Sequence, residues 1–133
     1  MHIYTDVFRQ AFQAHFPIER IEPVHLYGGD DDRSMEANNT SAFNCRLKTS
    51  GTSYSEHSWG HAVDINPLRN PYVTGSGRVY PPEGAEYVDR TRDFPGKIDE
   101  DGVVVQAFDA HGWGWGGRWN SSKDYQHFSA TGR

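Results

Sequence analysis

The chain has 133 residues, the length of one ordinary domain, and should bury roughly two-thirds of its extended surface around one core. Its single cysteine, Cys45, cannot close an internal disulfide, which excludes a disulfide-stapled secreted scaffold. A net charge of -5, no block of Lys or Arg and no apolar run long enough for a membrane span argue against nucleic-acid binding and against a transmembrane protein.

The N-terminal segment MHIYTDVFRQAF lacks a basic stretch followed by an apolar one, so it does not read as a secretory signal. Residues 4–15 place Val7, Phe8, Ala11, Phe12 and Phe16 at helical spacing, with Thr5 or Asp6 as the N-cap and His15 near the C-terminal end of the dipole. Pro17 closes this helix. Ile18–Leu26 is rich in β-branched residues and reads as a strand, with Pro23 pointing to an edge or bulge. A polar loop follows over 28–39, containing Asp30, Asp31 and Asp32, and 42–47 reads as a second strand.

The 70–97 stretch carries Pro71, Pro81, Pro82 and Pro95 and reads as a long excursion with one short strand near 77–80, a rim over the cleft. A helix is expected over 103–111, with Val104, Ala107 and Phe108 on one face and Gly112 ending it. GWGWGG at 112–117 reads as a tight aromatic loop and 125–128 as a last short strand. With no internal repeat or linker, 1–133 is expected to form a single α+β domain, a small antiparallel sheet carrying the site with helices beside it.

Two segments concentrate the chemistry: SEHSWGHAVD at 55–64 and KDYQHF at 123–128. A hydrolytic zinc site uses three protein ligands of His and carboxylate type and leaves a fourth position for water. His57 and His61 have the spacing of the H-E-x-x-H helix, but Ser58 stands where that motif needs Glu, and Gly60 lies between them, so this pairing is rejected. The alternative takes His57 with Asp64. A carboxylate at the end of the apolar run Ala62-Val63 is costly to bury unless a cation pairs with it. Singly, Asp64 fits a turn residue before Pro67, and His57 an ordinary hydrogen-bonded histidine. Asp124 likewise fits a turn cap after Ser121-Ser122-Lys123; it is the conjunction with His127 that points to a site.

These residues resemble a known family, the VanY-type D-alanyl-D-alanine carboxypeptidases and L-alanyl-D-glutamate endopeptidases. They are zinc peptidases of the lysostaphin, D-Ala-D-Ala carboxypeptidase and hedgehog superfamily. The family's S-x-H-x-x-G-x-A-x-D pattern stands without a gap over Ser55, His57, Gly60, Ala62 and Asp64, and its acidic residue three positions before a histidine stands as Asp124 and His127. INPLRNPY (65–72) and HGWGWGGRW (111–119) also look like a subgroup of cell-wall-lytic enzymes, and the likeness runs from about Asp30 to Phe128.

The resemblance implies His57, Asp64 and His127 as Zn2+ ligands and Asp124 as the general base for the attacking water. Many relatives have Glu at that last position; Asp shortens the reach by one methylene and is the form of the endopeptidase and phage-lysin branch. It also implies Arg46, in FNCR, as the cation that polarises the scissile carbonyl, although a surface strand arginine would read the same way. Ser55 would touch the substrate or the ligand shell. Trp59, Trp113, Trp115 and Trp119 are candidates for a substrate wall, Trp113 being better suited to the core. The implied substrate is a peptidoglycan stem peptide, cut by a carboxypeptidase or an endopeptidase, and the chain is expected to act as a monomer. The alternative is a non-catalytic zinc-stabilised module that binds wall peptides or a protein partner.

Overall fold

The computed structural model describes residues 2–42 and 56–133. The expected strand at 42–47 therefore lies, apart from Ala42, outside the described residues, as do Arg46 and Ser55. The architecture is mixed helix and small antiparallel sheets, the α+β class expected from the sequence.

The first helix, α1, spans His2–Gln13 and buries Val7 and Ala11 against the core. It begins earlier than its composition suggests, so Thr5 and Asp6 lie inside it and neither is the N-cap. The Asp6 carboxylate instead accepts from Gln10 Nε2 one turn on (3.0 Å) and meets His111 Nε2 at 2.7 Å. Phe12 departs from the expected apolar face and is 81% exposed. His15 is not in the helix; it sits beyond the end with φ +59°, in the reversal that leads to Pro17.

The strand expected over 18–26 does not form. Arg20 makes one isolated parallel bridge to Asn39, and Val24–Tyr27 is a 3-10 helix instead. The Asn39 amide occupies the backbone here: its Oδ1 accepts from Glu22 N at 2.8 Å and its Nδ2 donates to Glu22 O at 2.8 Å. The polar loop is also corrected. Asp30 is the N-cap of a short helix, α2 (Asp31–Glu36), its carboxylate accepting from Asp32 N and Arg33 N, with Asp31 and Asp32 in the first turn where the helix dipole favours them.

Two three-stranded antiparallel sheets complete the fold. The strands are β1 (Ala62–Asp64), β2 (Tyr72–Val73), β3 (Val79–Tyr80), β4 (Gly114–Trp115), β5 (Lys123–Asp124) and β6 (His127–Ser129). One sheet has the order β1-β6-β4 and the other β3-β2-β5. The strand expected over 125–128 is corrected: Tyr125 and Gln126 form a turn, His127 and Phe128 belong to β6, and β5 before the turn enters the other sheet. The third helix, α3 (Val103–Ala110), forms as expected, and Gly112 follows with φ +75°.

The core lies between α1, α3 and the inner face of the first sheet. Val63 and Phe128 are cross-strand partners and both are fully buried. Phe128 stacks on Phe108 with centroids 4.2 Å apart, and Trp115 flanks it. Burial of a side chain of this kind contributes about 1.5–3 kcal/mol. Because side chains alternate across a strand, anchoring Val63 and Phe128 inward turns their neighbours Asp64 and His127 to the opposite face. The 70–97 excursion is tied down by polar side chains. Asn70 Nδ2 donates to Gly96 O (2.9 Å), Ile98 N donates to Asn70 Oδ1 (2.8 Å), and the Arg90 guanidinium donates to Asn70 Oδ1 (2.6 Å) while lying over the Tyr125 ring at 4.5 Å.

Candidate metal centre

Asp64 and His127 face each other across β1 and β6. The Ile65 N–H to Gln126 O bond (2.9 Å) makes them a non-hydrogen-bonded pair, the arrangement in which opposed side chains come closest. His127 Nδ1 lies 3.1 Å from Asp64 Oδ1. His57 reaches the same carboxylate from a 3-10 helix, Glu56–Trp59, with Nε2 3.2 Å from Asp64 Oδ2. Gly60 turns the chain after this helix with φ +70°, a left-handed conformation that suits glycine, and delivers it into β1. His57, Asp64 and His127 are all buried, with one donor atom from each within 4.8 Å of the others.

The outer nitrogens of both imidazoles meet main-chain oxygens: His57 Nδ1 lies 3.1 Å from the Ala42 carbonyl and His127 Nε2 2.9 Å from Arg133 O. Both oxygens only accept, so each of these nitrogens carries the proton. In a neutral ring the inner nitrogen then presents a lone pair to a carboxylate oxygen, which repels unless a proton or a metal cation lies between them. Two donors about 2.1 Å from a tetrahedral zinc ion stand about 3.4 Å apart, close to both nitrogen–oxygen separations here. The donor set fits a divalent metal, and the two main-chain oxygens orient the rings for it.

Without a metal the charges balance through protons. Burial alone would lower the His127 pKa, but the hydrogen bond and charge of Asp64, with smaller help from Asp124 and Arg133 O, push it up to about 9. Burial likewise opposes the charge on Asp64, yet the facing imidazoles hold its carboxyl well below the usual carboxylate range. The site is thus built to keep a carboxylate ionised in the interior.

Asp124 stands in β5, and the turn at Tyr125–Gln126 brings it near enough for its charge to act on His127. Gly116 supports that approach. A Cβ on Gly116 would stand 2.5 Å from Asp124 O and 2.7 Å from Asp124 Cβ, so any side chain there would displace the acid. Sequence reasoning missed Gly116 as a site residue; the Gly-Gly pair that closes GWGWGG was the available signal. It also did not find Ala42 and Arg133, whose main-chain oxygens leave no trace in residue type.

The tryptophans divide. Trp113 stacks on Phe108 and meets Tyr4 edge-on, and Trp115 is buried with its Nε1 donating to Tyr125 O at 2.9 Å; both are core. Trp119 lies beside the centre, its ring centroid 5.6 Å from that of His127. Trp59 is 62% exposed on the helix that carries His57. His61, the rejected ligand, is exposed.

A family model described as D-alanyl-D-alanine carboxypeptidase matches residues 48–130, more than half of the chain. The chain belongs to this family. The match spans His57, Asp64, Asp124 and His127, starts two positions after Arg46 and leaves α1 and α2 outside it. No curated protein and no solved structure matches the chain. The protein is a peptidase of the D-alanyl-D-alanine carboxypeptidase kind, with a buried His-Asp-His group able to hold a metal. Among the described residues, no helix is long and apolar enough to cross a membrane.

Proposed function

We propose that the protein is a zinc metallopeptidase that hydrolyses peptide bonds in bacterial peptidoglycan stem peptides, with His57, Asp64 and His127 as the ligands. The observation that carries this reading is the pair of imidazoles whose inner nitrogens both face one buried carboxylate while their outer nitrogens meet main-chain oxygens. Zinc, when bound, would supply a Lewis acid and lower the pKa of a water from about 16 towards 7. Asp124 accepts the proton of the attacking water and returns it to the leaving amine. Its place beside His127, rather than in the ligand group, suits a carboxylate that must gain and lose a proton. Arg46 steadies the developing negative oxygen, a role whose loss typically costs about a hundredfold or more, and Ser55 contacts the substrate.

Incubation of the zinc-loaded protein with purified muropeptides, followed by mass spectrometry, tests this reading. Release of a terminal D-alanine identifies a carboxypeptidase, and a cut between L-alanine and D-glutamate an endopeptidase. Intact muropeptides in the presence of fully metal-loaded protein would contradict hydrolysis and favour a binding module.

A further inference from the structure

Tyr80, Tyr72 and Asp124 stand directly opposite one another across β3, β2 and β5. Side chains of one cross-strand row leave the sheet on the same face, so both phenol rings stand on the face from which Asp124 projects. The Tyr125 N–H to Pro71 O contact (3.4 Å) marks Tyr72 and Asp124 as a non-hydrogen-bonded pair, the closer kind. The two rings stack with centroids 6.0 Å apart and planes at 26°. Both tyrosines are only half-buried, and neither belongs to the hydrophobic core, which packs against the other sheet. A stacked aromatic pair left partly open beside a catalytic acid is placed for a ligand, with flat faces for aliphatic groups and hydroxyls for main-chain amides.

We infer that Tyr72 and Tyr80 form a substrate-binding shelf leading away from Asp124, and that the peptide cleaved extends along it for two or more residues beyond the scissile bond. This rests on the peptidase reading above. Neighbouring strands lie about 4.8 Å apart, so the row runs roughly 10 Å from Asp124 to Tyr80. An extended peptide covers about 3.3 Å per residue, so the shelf accommodates about three residues on one side of the cut. A dipeptide held at the metal would leave Tyr80 unused. The substrate class is therefore an oligopeptide rather than a dipeptide.

The test uses zinc-loaded wild type, Tyr72→Ala, Tyr80→Ala and Tyr80→Phe with synthetic stem peptides lengthened one residue at a time on each side of the bond that the wild type cuts. For the wild type, kcat/KM rises with length on one side only, by about three- to tenfold for each step that reaches a ring. In Tyr80→Ala the last step of that rise disappears, mainly through KM, and Tyr80→Phe, which keeps the ring, restores most of it. Tyr72→Ala loses an earlier step. Zinc content and thermal midpoint, measured alongside, stay at wild-type values for Tyr80→Ala. A length dependence in Tyr80→Ala parallel to that of the wild type overturns the shelf while leaving the peptidase reading intact. Loss of bound zinc together with kcat would also overturn it, by making the pair a purely structural contact. If the metal-loaded wild type cuts neither these peptides nor muropeptides, the peptidase reading falls and the shelf falls with it.

Discussion

The two sheets use the same register device for opposite purposes. In β1-β6-β4 the non-hydrogen-bonded pair is Asp64 and His127, both buried, one sheet layer away from Phe128 and the core. In β3-β2-β5 the equivalent pair is Tyr72 and Asp124, both half-exposed. The first sheet fixes charges that must not move and that water must not screen. The second carries Asp124 and a half-buried aromatic pair. Two residues, Tyr125 and Gln126, join them, so small changes there alter the distance between Asp124 and the His-Asp-His group.

Substitutions on the buried side should have the largest effects. His127→Ala and Asp64→Asn are each expected to abolish stoichiometric metal binding and lower kcat/KM by about a thousandfold or more, since removing one partner leaves buried charge uncompensated. Metal analysis after dialysis, alongside peptide turnover, checks this. In the second sheet, Asp124→Asn should keep the metal and lower kcat by about a hundred- to ten-thousandfold, the range of general acid–base catalysis. Loss of zinc from that variant would show that Asp124 belongs to the ligand set.

Gly116→Ala acts on the junction between the two. Its Cβ would push Asp124 off position, so kcat should fall about tenfold or more while zinc stoichiometry holds. Overpacking of this kind also lowers stability by about 1–3 kcal/mol, read in a denaturant titration.

The smallest effect is expected at an exposed ion-pair cluster on the surface. Arg118 donates to Glu100 and Asp109 at 2.5–3.0 Å on the surface. Hydrogen bonding to Arg118 holds both carboxyls below their ordinary values. Folded values that are lowered add stability above the ordinary carboxylate range, lost as pH falls through the lowered values. All three side chains are more than a third exposed, so screening keeps the contribution below about 1 kcal/mol. Arg118→Ala should leave activity unchanged and remove a small part of the loss of thermal midpoint between about pH 5 and pH 2.

Much of the buried His-Asp-His group was legible because its members are side chains at fixed spacings. His57 and Asp64 are seven positions apart, and the 3-10 turn ending at Gly60 converts that spacing into a shared donor point. The β-branched composition of 18–26 pointed to a strand, yet the Asn39 side-chain amide takes the bonds that a neighbouring strand would have made, so tertiary context overrode propensity. Asp30, Asp31 and Asp32 read as loop because acidic residues fit both a loop and a helix N-terminus, and only backbone contacts separate the two. The strand expected over 125–128 holds only at His127 and Phe128; Tyr125 and Gln126 form a turn that carries no Gly or Pro to mark it. Main-chain partners such as Ala42 O and Arg133 O cannot be read from residue types at all.

The most direct test is anomalous diffraction at the zinc edge from crystals grown with zinc. One peak bonded to His57 Nε2, an Asp64 carboxylate oxygen and His127 Nδ1, with both outer nitrogens still on their main-chain oxygens, is the predicted result. A peak ligated by other side chains, or none while the three residues remain bonded to one another, would contradict it.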